Sequence, residues 1–469
     1  MVNTSQRYKT LILLIFILSV SLRFGLVRYN RWSNDDHTPV IRMILKSGNL
    51  PEKPDCWECF QPKLFHYSIA KILKLPWLGP ALRELGVAKA AGWINFIAGL
   101  LTLFVVGIFI TNLPVKNEGY KLLSFGLIAL NPKLIGINSQ ATNDTFAILF
   151  STLALYCMFL FLQKQHLGTF LSAILFVLLG ISSKTNVWVT FIAITLALFI
   201  KAWAQRKNAI NMVFIGLVFI LSILVLSIYN PMNQYITNFQ QYGSPILTNI
   251  DKQPFPQFFE ETIVARPGIL SIYDGLFTFK FIDLLQHPII NNEEYEYSEN
   301  RTSLWTQLYG RAHSVHFDNW PKMWSAKGDE NFTRTRVIYI LALLPTSLLL
   351  FGVLLESFLL LKSILKQDTT LLSNSHYGLA PITFIGYIFL IVIYSLLSRR
   401  FSSMKVIFIY PALITFPVFF ISAIEFFKVH LKNRFPWVGI VFTIWIVALL
   451  GLYSLDVFTM IQLIYSRAK

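Results

Sequence analysis

The chain has 469 residues, of which 55% are hydrophobic and only 14% are charged, and its mean hydropathy is +0.56. A soluble core cannot bury so many apolar residues, so the composition excludes a soluble globular protein and indicates a polytopic membrane protein. The net charge of +16 does not indicate nucleic-acid binding, because the basic residues are scattered between apolar runs and form no stripe interleaved with aromatic residues.

Apolar runs that approach the length of a membrane span recur along the chain. A helix of about 20 residues crosses the hydrocarbon core, and about eleven runs are of this kind. The first lacks a small-residue cleavage site and is interpreted as a retained helix. The third and fifth are interrupted, by Asn131-Pro132-Lys133 and by Ser182-Ser183-Lys184. The runs lie near residues 9–28, 86–112, 120–138, 144–163, 167–182, 186–203, 209–229, 336–362, 377–397, 405–427 and 437–460.

Lysine and arginine in the short connections predict the orientation of the chain. With the amino terminus in the cytoplasm, the basic connections fall on the inner side, as the positive-inside rule requires. The outer side then receives the loop 29–85, the turns near 133–144 and 182–186, the segment 230–335 and the turn 398–405. The segment 230–335 is too long for an idle loop, and we expect a small extracytoplasmic cap. The predicted parts are an N-terminal membrane module (1–229), this cap and C-terminal helices (336–469).

Two adjacent carboxylates, Asp35 and Asp36, follow the first apolar run and would lie at the outer membrane surface. Thr38 is predicted as a helix N-cap with Pro39 at the first helical position. The carboxylates would then fall in the turn just before that helix. A plainer interpretation is that they only favour the helix N-terminus.

The outer loop also contains Cys56-Trp57-Glu58-Cys59. A C-x-x-C pair can form a disulfide, half of a zinc site or a redox motif. A structural disulfide between Cys56 and Cys59 is favoured, because the compartment permits it and the chain has no second pair of this kind. Zinc held with His37 or His66 is the alternative.

The stretch WTQLYGRAHSVHFDNWPKMW in the predicted cap is rich in aromatic and polar side chains. Aromatic faces over polar groups suit a sugar, although tryptophan at a membrane surface is also an ordinary interface anchor. The candidates for sugar or acceptor recognition are Trp305, Tyr309, His313, His316 and Trp320.

Several short patterns follow the acidic pair in a fixed order. They are QPKL at Gln61–Leu64, NPKLIGINSQATNDTF at Asn131–Phe146, GISSKTNVWV at Gly180–Val189 and SRRFSSMKVIFIYPAL at Ser398–Leu413. This order resembles the GT-C-fold integral-membrane glycosyltransferases that use polyprenyl-phosphate sugars, such as the dolichyl-phosphate-mannose protein mannosyltransferases and the aminoarabinose transferases of lipid A. The chain departs from that family in three places. It has Asp-Asp where the family usually has Asp-Glu, and Lys63 where the family's K-P-P-L segment has its second proline. The long outer segment 230–335 has no counterpart in the family.

The resemblance implies an all-α, GT-C-type bundle of about eleven transmembrane helices. It also implies transfer of a hexose or pentose from a polyprenyl-phosphate donor to a glycan, lipid or protein acceptor outside the membrane, with inversion. It assigns the general base to Asp35, with Asp36 in support, and a neighbouring carboxylate raises the proton affinity that a base needs. Asp144 is expected to orient a lysine or the sugar, or alternatively to cap its helix.

A departing lipid phosphate requires cations on the outer side. The candidate ligands are Lys63, Lys133, Lys184, Arg399, Arg400 and Lys405. For each of them the alternative is an interfacial side chain that reaches the head groups. No cofactor is predicted with certainty and no metal ligand is assigned, since two acids are too few to argue for an ion, but a divalent metal stays open.

Two further functional classes compete with the transferase. A transporter or flippase of lipid-linked sugars should carry polar residues near the midplane of broken helices, whereas the charges of this chain collect at one outer surface. A non-catalytic scaffold gives no reason for clustered outer acids and bases. The expected location is the plasma (inner) membrane with the active site facing outside, or the endoplasmic reticulum membrane in a eukaryote.

Overall fold

The computed structural model describes residues 4–30, 37–205, 209–247, 272–288, 303–314, 329–374, 376–398, 404–431 and 437–468. These residues form helices and connections, without a strand among them. The α-helices are α1 (Thr4–Tyr29), α2 (Thr38–Ser47), α3 (Leu64–Lys74), α4 (Gly79–Glu84), α5 (Val87–Asn112), α6 (Glu118–Ala129), α7 (Pro132–Ile137), α8 (Asp144–Lys164), α9 (Leu167–Ser183), α10 (Trp188–Ala204), α11 (Ala209–Tyr229), α12 (Tyr235–Tyr242), α13 (Ile272–Phe277), α14 (Phe281–Gln286), α15 (Leu304–His313), α16 (Asp329–Lys366), α17 (Thr369–Asn374), α18 (Leu379–Ser398), α19 (Phe416–Leu431) and α20 (Val438–Ala468).

Within the described residues, nine helical stretches are long and apolar enough to cross a membrane. The shorter apolar helix α9 and the broken pair α6 and α7 account for the two other predicted runs. The expected all-α polytopic membrane fold is therefore confirmed. The nine stretches are Gln6–Tyr29, Val87–Asn112, Asp144–Lys164, Thr185–Ala204, Ala209–Tyr229, Thr333–Lys366, His376–Leu396, Tyr410–Leu431 and Gly439–Ser466.

The loops expected in the cytoplasm contact one another at one end of the bundle. Lys201 donates its ammonium proton to the carbonyl of Leu162 at 2.9 Å. Next to it, the amide of Gln205 donates to the hydroxyl of Tyr377 at 3.4 Å. Three separate connections between spans therefore meet there.

The loops expected outside meet in the same way. The backbone N–H of Lys63 donates to the carbonyl of Met232 at 2.8 Å, and the amide of Gln234 donates to the carbonyl of Pro51 at 3.2 Å. The first outer loop thus packs on the start of the predicted cap, where the described residues form α12 to α15 and the first turns of α16.

The run 120–138 is broken by a buried arginine and an asparagine. The guanidinium of Arg23 in α1 donates to the carbonyl of Ala129, at the end of α6, at 2.7 Å and to Asn138 Oδ1 at 3.0 Å. Asn131 then starts α7, because its side-chain oxygen accepts the N–H of Leu134 at 3.0 Å. Since Arg23 is only 1% exposed, the break belongs to the packed structure.

One boundary differs from its prediction. Helix α2 begins at Thr38, so Thr38 is its first residue and His37 occupies the N-cap position. The backbone of His37 already has near-helical angles (φ −79°, ψ −2°), which moves the start of the helix back by one residue.

A glycine lets α16 and α19 pack closely. A Cβ atom at Gly352 would lie 2.0 Å from the carbonyl oxygen of Phe419. Backbone cannot move aside as a side chain can, so we expect Gly352→Ala to cost about 1–3 kcal/mol of stability and to lower the Tm. The matched control is Gly451→Ala in α20, where nothing lies within 4 Å of the added carbon. Equal Tm values for the two variants would contradict this packing.

Candidate active site

Asp144 and Lys184 form a buried ion pair at the end of the bundle that is predicted to face outside. The ammonium of Lys184 lies 2.6 Å from Oδ1 of Asp144, and Oδ2 of Asp144 accepts the hydroxyl proton of Thr142 at 2.7 Å. Asp144 is 2% exposed and Lys184 is 8% exposed. Asp144 begins α8 and Lys184 directly follows α9, so these packed neighbours bring the two charges together.

The two alternatives for Asp144 can be compared with this geometry. The N-cap position of α8 belongs to Asn143, and the carboxylate of Asp144 contacts a lysine instead. Among the described residues, the arrangement is that of an acid that orients a cation. The pair is also shielded, because the ring of Phe408 lies 5.2 Å from the Lys184 ammonium.

Asn143 connects this pair to the first outer loop. Its side-chain N–H donates to the carbonyl of Ser183 at 3.0 Å and to the side-chain oxygen of Gln61. The amide of Gln61 in turn donates to the carboxylate of Glu58. Three turns that are distant in sequence are therefore joined by side-chain hydrogen bonds.

Lys63 is buried in the same loop and is 0% exposed. Its ammonium donates to the carbonyl of Cys59 at 2.5 Å and to that of Gln61 at 2.6 Å. Burial lowers the pKa of Lys63 to about 7, although the nearby carboxylates of Glu58 and Asp55 act in the opposite direction. The ammonium therefore titrates near neutral pH, and the partners described for it are carbonyl oxygens.

This pKa predicts a pH dependence of stability. Between about 7 and the ordinary lysine value of 10.5, the unfolded chain binds the Lys63 proton more strongly than the folded chain does. Stability should therefore rise with pH in this window, by up to about 1.4 kcal/mol per unit. We expect Lys63→Met to reduce the rise of Tm with pH between about pH 7.5 and 9, because the variant lacks the group that titrates in this window. The exposed Lys71→Met in α3 is the control and should leave the slope unchanged. An unchanged slope in Lys63→Met would contradict the prediction.

Cys56 and Cys59 are joined in a disulfide with an S–S distance of 2.09 Å. Nearby, Nδ1 of His37 lies 2.9 Å from Nε2 of His66, and both rings are buried. Burial, together with His37 and Lys63, lowers the pKa of His66 well below its ordinary value. Because both sulfurs are used in the disulfide, neither cysteine is available as a zinc ligand beside His37 or His66.

A largely apolar cavity of about 370 Å³ lies next to the turn that carries Phe408. Trp305, Tyr309 and His313 of α15 line its side facing the cap. Its other walls come from α6, α16, α18, α19, α20 and the turn after Lys405. The wall residues include Leu127, Ile128, Leu343, Leu350, Phe384, Ile388, Val406, Phe416 and Phe420.

Several polar groups in the cavity wall are hydrogen-bonded. His313 lies 2.5 Å from the hydroxyl of Tyr453 and 2.9 Å from that of Thr346, and burial lowers the pKa of its imidazole to about 3. Asn131 donates to the carbonyl of Ala312 at 2.9 Å, which ties α7 to α15. The cavity therefore suits an apolar ligand with a small polar end.

The remaining predicted residues fall into two groups. Lys133 lies buried in α7, and Lys405 directly precedes the turn Val406–Phe408. The others lie outside the described residues: Asp35, Asp36, Arg399, Arg400, His316 and Trp320.

Two features of the structure were not predicted. Arg23 could have been found, because a charge inside an apolar run is costly and usually has a function. The contact between Gln61 and Asn143 had no signal in the sequence, since neither residue is charged and 82 positions separate them.

Comparison with known proteins supports the resemblance over part of the chain. A family model described as dolichyl-phosphate-mannose-protein mannosyltransferase matches residues 76–229. Among solved structures, ArnT from Cupriavidus metallidurans bound to undecaprenyl phosphate matches with 12% sequence identity and a TM-score of 0.33, over 91% of this chain and 79% of that chain. No curated protein matches. The resemblance to the mannosyltransferase family is thus confirmed for residues 76–229, which include the Asp144–Lys184 pair.

Proposed function

We propose that the chain is a glycosyltransferase that moves a sugar from a polyprenyl-phosphate donor to a hydroxyl of a glycan, lipid or protein acceptor. The observation that carries the proposal is the family match over the stretch that includes the buried Asp144–Lys184 pair. The matched family acts, by its description, on dolichyl-phosphate-mannose, which is a sugar on a lipid phosphate. A site for such a donor needs an apolar volume for the isoprenoid and cations for the phosphate.

The apolar volume for the isoprenoid is the cavity between α15 and the C-terminal helices. Its walls are largely leucine, isoleucine and phenylalanine side chains. An isoprenoid chain that covers them gains about 25 cal/mol of free energy per Å² of apolar surface removed from water. Asn131 and His313 give the wall a few polar groups at the end near the cap. We assign this volume to the lipid part of the donor.

The cations for the phosphate lie at the outer end of the bundle. Lys184 is the described lysine best placed for the role, because it is paired with Asp144 and lies against Phe408, whose turn also contributes Val406 to the cavity wall. The developing charge on a leaving phosphate is stabilised most strongly by cations that are already in place. The full candidate set stays Lys63, Lys133, Lys184, Arg399, Arg400 and Lys405.

The reaction needs a base and no nucleophilic side chain. Asp35, with Asp36 beside it in sequence, takes the proton of the acceptor hydroxyl, and the hydroxyl oxygen attacks the anomeric carbon. The bond from that carbon to the phosphate oxygen breaks, and the lipid phosphate leaves with the electron pair. Attack from the face opposite the phosphate inverts the anomeric centre, as the geometry of single displacements requires.

The transporter alternative predicts charges inside the membrane that serve a substrate path. Arg23 is a buried charge of this kind, but its guanidinium is hydrogen-bonded to the end of α6 and to Asn138. These hydrogen bonds show that Arg23 caps the C-terminal end of α6. Arg23 is therefore explained by the packing of α1 against α6 and α7, and it does not by itself indicate a substrate path.

The positive-inside rule supports an active site on the extracytoplasmic side. In a bacterium this is the outer face of the plasma (inner) membrane, and in a eukaryote the lumenal face of the endoplasmic reticulum. Labelling of an engineered cysteine at residue 300 with an impermeant reagent tests the orientation. Labelling from the cytoplasmic side alone would overturn it.

The function itself is tested with the full chain in lipid nanodiscs and a panel of polyprenyl-phosphate sugars, including mannose and aminoarabinose donors of several isoprenoid lengths. We expect release of polyprenyl phosphate and a glycoside of inverted configuration, which NMR of the anomeric proton detects. If no donor of the panel is consumed and the intact donor instead moves across vesicle membranes, the transporter replaces the transferase as the function.

A further inference from the structure

The disulfide in the first outer loop closes a tight turn that reaches the buried ion pair through side chains. Cys56 and Cys59 are three positions apart, and Glu58 lies between them. The carboxylate of Glu58 accepts the amide proton of Gln61, and the oxygen of Gln61 accepts the side-chain N–H of Asn143. A continuous hydrogen-bonded path therefore runs from the disulfide turn to the start of α8.

Asn143 connects that turn to the backbone next to both charged residues, Asp144 and Lys184. It directly precedes Asp144, and its side chain also donates to the carbonyl of Ser183, which directly precedes Lys184. Asn143 is 0% exposed, so water cannot replace a partner that it loses. A displacement of Gln61 should therefore move Asn143 and Ser183, and with them the neighbouring residues Asp144 and Lys184.

The same turn holds a second lysine of the candidate phosphate site. Lys63 donates to the carbonyl of Cys59 at 2.5 Å and to that of Gln61 at 2.6 Å. Cys59 is 1% exposed, and its carbonyl belongs to the turn Trp57–Phe60 that the disulfide closes. The position of the Lys63 ammonium thus depends on the conformation of that turn.

We propose that the Cys56–Cys59 disulfide is a positioning element of the site. It fixes the turn that carries Glu58 and the Cys59 carbonyl, and so sets the positions of Lys63 and of the Asp144–Lys184 pair. The disulfide does not take part in sugar transfer. The inference rests on the proposed function only where it concerns turnover, and its structural content can be tested without a substrate.

The structural test compares Glu58→Ala in two backgrounds of the full-length protein in nanodiscs. In the native background, we expect a lower Tm, because Gln61 loses its acceptor. In the Cys56→Ser/Cys59→Ser background, the same change should shift the Tm by less than half as much, since coupled residues are not additive. The exposed Glu84→Ala in α4 is the control and should have the same small effect in both. Equal shifts for Glu58→Ala in the two backgrounds would overturn the proposal.

Reduction of the folded protein avoids variants that fail to fold. Dithiothreitol transfers two electrons and two protons to the disulfide, giving two thiols and its own cyclic disulfide. In a Cys157→Ser background, which removes the free thiol in α8, we expect faster amide hydrogen exchange at 58–67, in the first turn of α8 and at 183–187. Exchange at the inner end of α10 should not change. A response confined to 53–63 would show that the turn does not position the ion pair.

Turnover provides the last readout, with a mannosyl-phosphoryl polyprenol as the donor. Reduction should lower kcat by roughly 10- to 100-fold, because misplaced reacting groups react more slowly. The change in KM should be smaller. Glu58→Gln keeps an acceptor oxygen for Gln61 and should retain turnover, whereas Glu58→Ala should not. An unchanged kcat after complete reduction would overturn the proposal. If the Tm and exchange results hold but no donor is consumed, the proposed function fails and the positioning role stands.

Discussion

Asp35→Asn is expected to lower sugar transfer by about 100-fold or more. The amide keeps the shape of the carboxylate and removes its basicity, so the acceptor hydroxyl has no group to take its proton. The folded protein should keep its Tm and its affinity for the donor, because neither requires a base. Steady-state turnover and binding of the same donor, measured on the same preparation, separate the two effects.

Asp36→Asn is the matched control for this prediction. Asp36 is assigned a supporting role, so its amide should cost less turnover than Asp35→Asn does. A shift of the pH–rate profile in Asp36→Asn would show that the neighbouring carboxylate raises the proton affinity of the base. Near-normal turnover in Asp35→Asn would place the base elsewhere, with Asp36 and Asp144 as the next candidates.

Breaking the Asp144–Lys184 pair is expected to have the second large effect. Asp144→Asn leaves the Lys184 ammonium buried without a charge partner, and such single changes cost about 3–5 kcal/mol. Lys184→Gln should cost a similar amount for the same reason. The variant with both changes should be more stable than the sum of the two predicts, because no uncompensated charge is left. Thermal unfolding of the four proteins measures the coupling.

The same four proteins show whether Lys184 binds the donor phosphate. If the pair is only structural, the double variant should recover donor affinity together with its stability. If Lys184 is a phosphate ligand, the double variant should be stable but should bind undecaprenyl phosphate at least about tenfold more weakly than the unchanged protein, because it has lost a charge-assisted hydrogen bond. Lys71→Gln, on the exposed face of α3, is the control for a change in net charge. Recovery of full affinity in the double variant would assign the phosphate to other cations.

Much of the fold follows from the length of the apolar runs, because each membrane span must satisfy its backbone within its own helix. Asn131-Pro132 in the third run also predicted an interruption, and the chain breaks there into α6 and α7. The site was less accessible to sequence reasoning. Lys184 and Asp144 were both singled out, but their pairing depends on how α8 packs against α9, which no short pattern encodes.

The partners of Lys63 illustrate what the sequence could not provide. Its position outside the membrane predicted a phosphate ligand, whereas its described contacts are two carbonyls of its own loop. Those contacts depend on the turn Trp57–Phe60, and the backbone N–H of Lys63 also donates to the carbonyl of Met232, so they arise from tertiary structure. Hydrogen bonds between uncharged side chains far apart in sequence, such as Gln61 with Asn143, escape prediction for the same reason.

The arginine that caps the end of α6 also has a consequence for the biogenesis of the protein. Arg23 lies within the span Gln6–Tyr29, and a charge inside a membrane helix raises its insertion cost, by about 2.5–3.5 kcal/mol at the helix centre. The groups that compensate this cost, Ala129 and Asn138, are 106 and 115 positions further along the chain. The guanidinium of Arg23 can therefore form these hydrogen bonds only after α5 and the broken pair α6 and α7 have been synthesised.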